Sequence, residues 1–255
     1  VEILGWLRPA RTVPVTRWRA GGRWSPRPVS LVVLVVGLYL FGTGEALMVR
    51  ADLGVSPWTV LAQGLSTRLP LSIGASTFLV SAVVLLLWIP LRERPGVGTV
   101  ANAVVIAVAL QVGVWLIPSP DAMGARLALV LLGIGAVGLG SGLYLTTNLG
   151  PGPRDGWMTG LHLRTGWPVA RVRLGIEVAV LALGWLLGGT VGLGTALFAV
   201  LIGPAVAQGL AVAGVVGGTP TTPGGRGASS SGASGESSPE HPHDAPDDGF
   251  PELDA

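Results

Sequence analysis

The chain contains no cysteine, and its sixteen basic residues are all arginine. No disulfide framework or thiolate metal site can therefore form. Charge is scarce: Asp, Glu, Lys and Arg make up 12% of the 255 residues, about half the share usual in soluble domains. His241 and His243 are too small a cluster to argue for a metal site. With no paired histidines and no nucleophile-plus-base arrangement, no catalytic residue, cofactor or metal is expected, and the chain does not read as an enzyme. The bases lack the interleaved aromatics of a nucleic-acid surface, which excludes that partner. The apolar segments do not alternate over about ten residues, as the strands of a membrane β-barrel would.

Apolar length is plentiful instead. Six runs stand out, at 30–50, 74–91, 97–117, 125–147, 172–188 and 192–215. Most approach the roughly 20 apolar residues that cross about 30 Å of hydrocarbon as a helix. The expected class is all-α, a polytopic membrane protein of about six transmembrane helices, with the lipid bilayer as its obligatory partner. Residues 1–29 carry Arg8, Arg11, Arg17, Arg19, Arg23 and Arg27, with Glu2 as the segment's acid. This stretch is too long for a signal-peptide n-region and is expected to be retained as a basic cytoplasmic segment. Arginines Arg92, Arg94, Arg154, Arg164, Arg171 and Arg173 then fall on the side of the N-terminus, which puts both termini in the cytoplasm. Residues 217–255 are rich in Gly, Ser, Pro and acids and carry no apolar pattern, so a disordered acidic cytoplasmic tail is expected.

The membrane part divides into two repeats, 30–118 and 125–216. Shifted by 96 positions, the sequence aligns with itself without a gap. Gly37, Gly42 and Gly44 fall on Gly133, Gly138 and Gly140; Gly54 and Pro57 fall on Gly150 and Pro153; Gly96, Gly98 and Thr99 fall on Gly192, Gly194 and Thr195. Recurrent glycines and prolines imply a recurrent backbone requirement. Three spans per half would make the repeats inverted, a plan common among transporters. The segment after Pro57 is too short to cross, so each repeat is expected to hold one short re-entrant or interfacial helix.

The stretch "NLGPGPRDGW", Asn148 to Trp157, is the second copy of that helix start, and "DLGVSPWT" is the first. Gly152 precedes Pro153 as Ser56 precedes Pro57, an N-cap followed by proline at the first helical position. Arg154 and Asp155 in the second copy, and Ser56 and Thr59 in the first, are the candidate binding groups. Two readings stay open: an anionic group in front of Pro153 beside Arg154, or a capped turn with Arg154 as a cytoplasmic charge. Glu45 and Glu177 lie inside apparent spans, where ionisable groups are functional candidates. Glu177 is the deeper by pattern, and same-helix pairs with Arg50 and Arg173 are the simpler explanation of both. A proton-linked or cation-binding role follows if either faces a cavity. "GVGT" and "GGTVGLGT" lack the Lys-Ser/Thr continuation of a phosphate loop, so Gly96, Gly98, Thr99, Gly192, Gly194 and Thr195 read as tight helix-start turns. The glycines of "GIGAVGLGSG" read as a groove for close helix packing.

Together "DLGVSPWTVLAQGLS", "GVGT", "NLGPGPRDGWMTGL" and "VARVRLGIEVAVLALGWLLGGTVGLGT" resemble the YitT/YczE-like family of bacterial integral membrane proteins. The resemblance covers about residues 30–212. It implies a multi-pass, permease-like protein of the bacterial cell membrane and supplies no substrate. Two functions follow: a transporter-like protein for a small solute, anionic or proton-coupled, and a non-transporting accessory or scaffold protein that assists a partner. A homo-oligomer is compatible with both.

Overall fold

A computed structural model describes residues 12–218. The N-terminal residues 1–11 and the expected tail, from residue 219 on, lie outside the described residues. Nine helices and no strands occur among the described residues: α1 (Pro28–Ala51), α2 (Pro57–Arg68), α3 (Ile73–Leu86), α4 (Trp88–Leu91), α5 (Val97–Leu116), α6 (Met123–Thr146), α7 (Pro153–Thr165), α8 (Val169–Leu186) and α9 (Leu193–Gly217). Proline opens α1, α2 and α7, where its missing N–H costs nothing and its fixed φ suits the helix. Ser72 caps α3 by accepting from Ala75 N at 3.2 Å. Asp52 after α1 and Gly166 after α7 turn the chain through the left-handed region.

Five segments are long and apolar enough to cross a membrane: Pro28–Ala51, Ile73–Leu91, Val97–Leu116, Met123–Thr146 and Leu193–Gly217. They coincide with five of the six expected spans. The sixth, now α8, is 18 residues long and carries Arg171, Arg173 and Glu177 in its first half, too much charge to be placed on apolar length alone. Large apolar side chains are exposed along the helices, Val32, Val36, Leu132 and Val200 among them. That is the surface expected of a body solvated by lipid rather than water.

Helix starts recur at the interval of the sequence repeat. Pro57 and Pro153, Ile73 and Val169, and Val97 and Leu193 each stand 96 residues apart. Glycines bring the long helices together: Gly37 lies against Gly140 and Gly44 against Gly133, so α1 and α6 run antiparallel. Gly142 and Gly209 touch backbone to backbone where α6 meets α9, and Gly138 meets Ala205 one turn away. The groove read from "GIGAVGLGSG" is thus a packing surface. Close approach of this kind replaces the hydrophobic driving force that lipid removes.

Residues 12–27, expected only as a basic segment, form an extended strap across the helix ends. Thr16, Trp18 and Ala20 point inward and are buried, while Arg17 and Arg19 between them are exposed. Arg17 N donates to Gly217 O at 3.1 Å, Ala20 N to Thr147 O at 2.9 Å and Trp18 Nε1 to Thr146 Oγ1 at 3.0 Å.

Candidate functional site

The two short helices are aimed by their preceding turns. Gly54 at φ +99° and Gly150 at φ +115° occupy backbone that side chains rarely adopt. Leu53 O accepts from Gly194 N at 2.6 Å, and Leu149 O accepts from Gly98 N at 2.8 Å. Each turn is therefore clasped by a glycine-rich helix start from the other half of the chain. Thr99 Oγ1 accepts from Gly96 N at 3.0 Å and donates to Pro151 O at 2.8 Å. Thr195 Oγ1 accepts from Gly192 N at 3.3 Å. These glycines and threonines hold the turns.

At the first helix start the clasped turn brings the beginning of α2 to Glu45, in the C-terminal third of α1. Ser56 Oγ lies 2.9 Å from both carboxylate oxygens of Glu45, and Thr59 Oγ1 donates to Glu45 Oε2 at 2.7 Å. Ser56 is the residue before Pro57 and Thr59 the third residue of α2, so the carboxylate sits where the helix dipole is positive. All three residues are 1% exposed. Two hydroxyl donors and a helix end satisfy a charge that burial would otherwise make very costly.

At the second helix start the groups are exchanged between elements. The acid, Asp155, stands on the short helix α7, and the hydroxyl, Tyr144 Oη, donates to its Oδ2 from the long helix α6 at 2.6 Å. Trp88 Nε1 donates to Pro153 O at 2.9 Å and packs its ring against Gly156, which fixes the first turn of α7. Arg154 extends across to the other helix start, with its guanidinium carbon 5.2 Å from the centre of the Trp58 ring. At that range a cation–π contact contributes about 0.5–2 kcal/mol. Glu45 feels Arg154 as its opposite charge. Among the described residues no carboxylate lies within 4.0 Å of the Arg154 guanidinium and no group accepts a hydrogen bond from it.

Both starts open on one cavity of about 310 Å³, lined by Ser56, Pro57, Gly152, Arg154, Asp155 and Glu177 together with Asn102, Ser141, Arg173 and apolar groups from α1, α2, α5, α6, α7 and α9. The structure thus gathers at one place the helix starts and most of the polar groups singled out in sequence. Glu45 lies behind Ser56, bonded to it. The order of depth is the reverse of that expected: Glu45 is 1% exposed, whereas the Glu177 side chain is 28% exposed. Glu177 does pair with Arg173, at 2.9 Å. Glu45 does not pair with Arg50, whose Nε instead donates to Ile117 O at 2.6 Å. Tyr144, Trp58, Ser141 and Asn102 were not legible as site residues. The signal that could have found Ser141 is the repeat, because it stands 96 positions after Glu45. Among the described residues no three acidic or histidine side chains could hold a metal ion.

A family described as "Family of unknown function (DUF6198)" matches residues 29–209. An uncharacterized protein of Haemophilus influenzae is 42% identical over 199 residues, covering 78% of this chain and 91% of its own length. The uncharacterized membrane protein YczE of Bacillus subtilis is 31% identical over 182 residues, covering 71% of this chain and 82% of its own length. No solved structure matches the chain.

Proposed function

The chain belongs to this family of uncharacterised YczE-like membrane proteins, and on that premise we propose that it is a non-enzymatic, permease-like protein that binds a small anionic solute in the cavity between Pro57 and Pro153. The observation that carries the reading is the state of the charges there. Asp155 accepts from Tyr144, Glu177 is paired with Arg173, and Glu45 is held by Ser56 and Thr59. Arg154 alone among these groups presents its hydrogen-bond donors to the cavity without an acceptor. A guanidinium in that position matches a carboxylate or another oxyanion.

In this reading α8 is the sixth crossing, both termini face the cytoplasm, and the repeats are inverted. Reciprocal contacts support the inversion. Gly37 meets Gly140 while Gly44 meets Gly133, and the shift of 96 turns the first pair into the second with the halves exchanged. A twofold relation produces that exchange. One contact breaks the pattern. Gly74 at the start of α3 packs on α5, its N donating to Gln111 Oε1 at 2.9 Å. The counterparts in the second half are Ala170 on α8 and Ala207 on α9, and Ala170 is exposed while nothing lies within 4 Å of where a Cβ of Gly203 would stand. The α8 helix, which supplies Arg173 and Glu177 to the cavity, is then the element that closes on α9 when solute enters.

Thermal melting of the purified protein against a panel of small carboxylates, phosphate and sulfate tests the reading. A solute at about 100 times its Kd should stabilise the protein by about 2.7 kcal/mol, seen as a shift of several degrees that Arg154→Ala removes. The absence of native cysteine allows a clean companion measurement. Disulfide yield in Ala170→Cys/Ala207→Cys should rise with the same solute. If no solute shifts the melt or the cross-link, the permease reading fails and an accessory role takes its place.

A further inference from the structure

The strap formed by residues 12–27 has no counterpart in the repeat, and neither the cavity nor the clasps use its charges. Its backbone is fixed at both ends. Arg17 N reaches Gly217 O, Ala20 N reaches Thr147 O, and Val97 N donates to Arg23 O at 3.1 Å. Ser30 Oγ donates to Trp18 O at 2.6 Å, and Asn148 Nδ2 donates to Ala20 O at 3.1 Å. The inward side chains Thr16, Trp18 and Ala20 hold it down, so the exposed Arg17 and Arg19 are presented from rigid backbone. With Arg27 they border a second concavity of about 550 Å³, completed by Asn148 and by strap residues that include Thr16 and Gly21.

Among the described residues no acidic side chain lines this concavity. Among the described residues none of the three guanidiniums has a hydrogen-bond acceptor or an ion-pair partner. Arg23, by contrast, spends its guanidinium on Arg94 O at 2.8 Å. Exposed apolar side chains flank the basic groups: Val13 and Val15 on the strap, Trp24 at 65% exposure, and Val29 and Val32 on the first turns of α1. Trp24 also donates its Nε1 to Pro95 O at 3.0 Å, so its ring is oriented rather than free. Three guanidiniums without a partner among the described residues, with an oriented indole on the same strap at the end of apolar helices, match the two levels of a membrane interface.

We propose that Arg17, Arg19 and Arg27 bind the phosphodiester headgroup of an anionic phospholipid, whose acyl chains run along the exposed start of α1. A lipid is favoured over a free anion because the apolar flank adds contacts that inorganic phosphate cannot use. Because the strap ties together the ends of α6 and α9 and the start of α5, a bound lipid fastens the side of the bundle from which α7 departs.

The test uses the full chain in nanodiscs of phosphatidylcholine, with and without phosphatidylglycerol, reading lipid retained through purification by mass spectrometry and melting temperature. Each arginine near an anionic headgroup contributes a factor of about five in affinity, so the three together contribute on the order of a hundredfold. Retention of phosphatidylglycerol over phosphatidylcholine is therefore expected in the native chain and lost in Arg17→Gln/Arg19→Gln/Arg27→Gln. Arg23→Gln should leave the preference intact. Melting in pure phosphatidylcholine should be the same for the native chain and the triple variant, which separates loss of lipid from loss of fold. Equal retention of both lipids by the native chain, or an undiminished preference in the triple variant, overturns the proposal. Competition by millimolar inorganic phosphate that strips the lipid overturns it in favour of a free-anion site.

Discussion

Glu45→Ala should destabilise the protein by about 2–5 kcal/mol, because it removes the acceptor at the centre of a buried hydrogen-bond cluster. Three losses combine. The Ser56 and Thr59 hydroxyls, both buried, lose their acceptor, and each buried unsatisfied group costs about 1–3 kcal/mol. A void replaces a fully enclosed side chain, and Arg154 loses the opposite charge that faces it. Glu45→Gln keeps the volume and returns an amide oxygen to the hydroxyls, so it should melt well above the alanine variant. It still removes the charge, and solute affinity should change while the fold survives. A melt of purified Glu45→Ala within a degree or two of the native protein would show that the Glu45, Ser56 and Thr59 cluster does not hold the first helix start.

Gly142→Ala should be nearly as damaging through a different cause. A methyl group there meets the carbonyl carbon and oxygen of Gly209, and these backbone atoms cannot rotate away. The α6 and α9 helices must separate along their contact, at an overpacking cost of about 1–3 kcal/mol or more. Gly209→Ala intrudes on the Gly138 carbonyl from the opposite helix. The two substitutions act on one contact, so their effects should fall short of additive: a separation that admits one methyl partly admits the other. Gly135→Ala is the internal control. Nothing lies within 4 Å of its added carbon, and there alanine should stabilise α6 slightly through its better helix propensity. The same chemical change one or two turns apart is thus expected to carry opposite signs in thermal melts.

The helices were legible because apolar length and proline placement are local properties. Pro57 and Pro153 open α2 and α7 as read, and the glycines of α6 pack as read. The charged start of α8 blurs its span for the same local reason. Pairings were less legible, because they depend on which distant group arrives. Arg50 looked like the partner of Glu45, yet the carbonyl of Ile117 at the end of α5 takes its guanidinium. The cavity depends on the same kind of arrival: Arg154 reaches Trp58, and Tyr144 reaches Asp155 across the α6–α7 turn. Gly98 and Gly194 read as turn residues, but the reason they are glycine is contact with Leu149–Gly150 and Leu53–Gly54 in the opposite half of the chain. A single sequence shows that such positions recur without showing what they face.

The cross-half clasp also dictates an order of events during synthesis. The amide of Gly194, which closes the turn at Leu53, leaves the ribosome about 140 residues after it. At about 5–20 residues per second that is a wait of roughly seven to thirty seconds. Throughout that interval the first helix start, with its acid, has no lock on its turn. The clasp on the first turn can therefore close only after the start of α9 has been made.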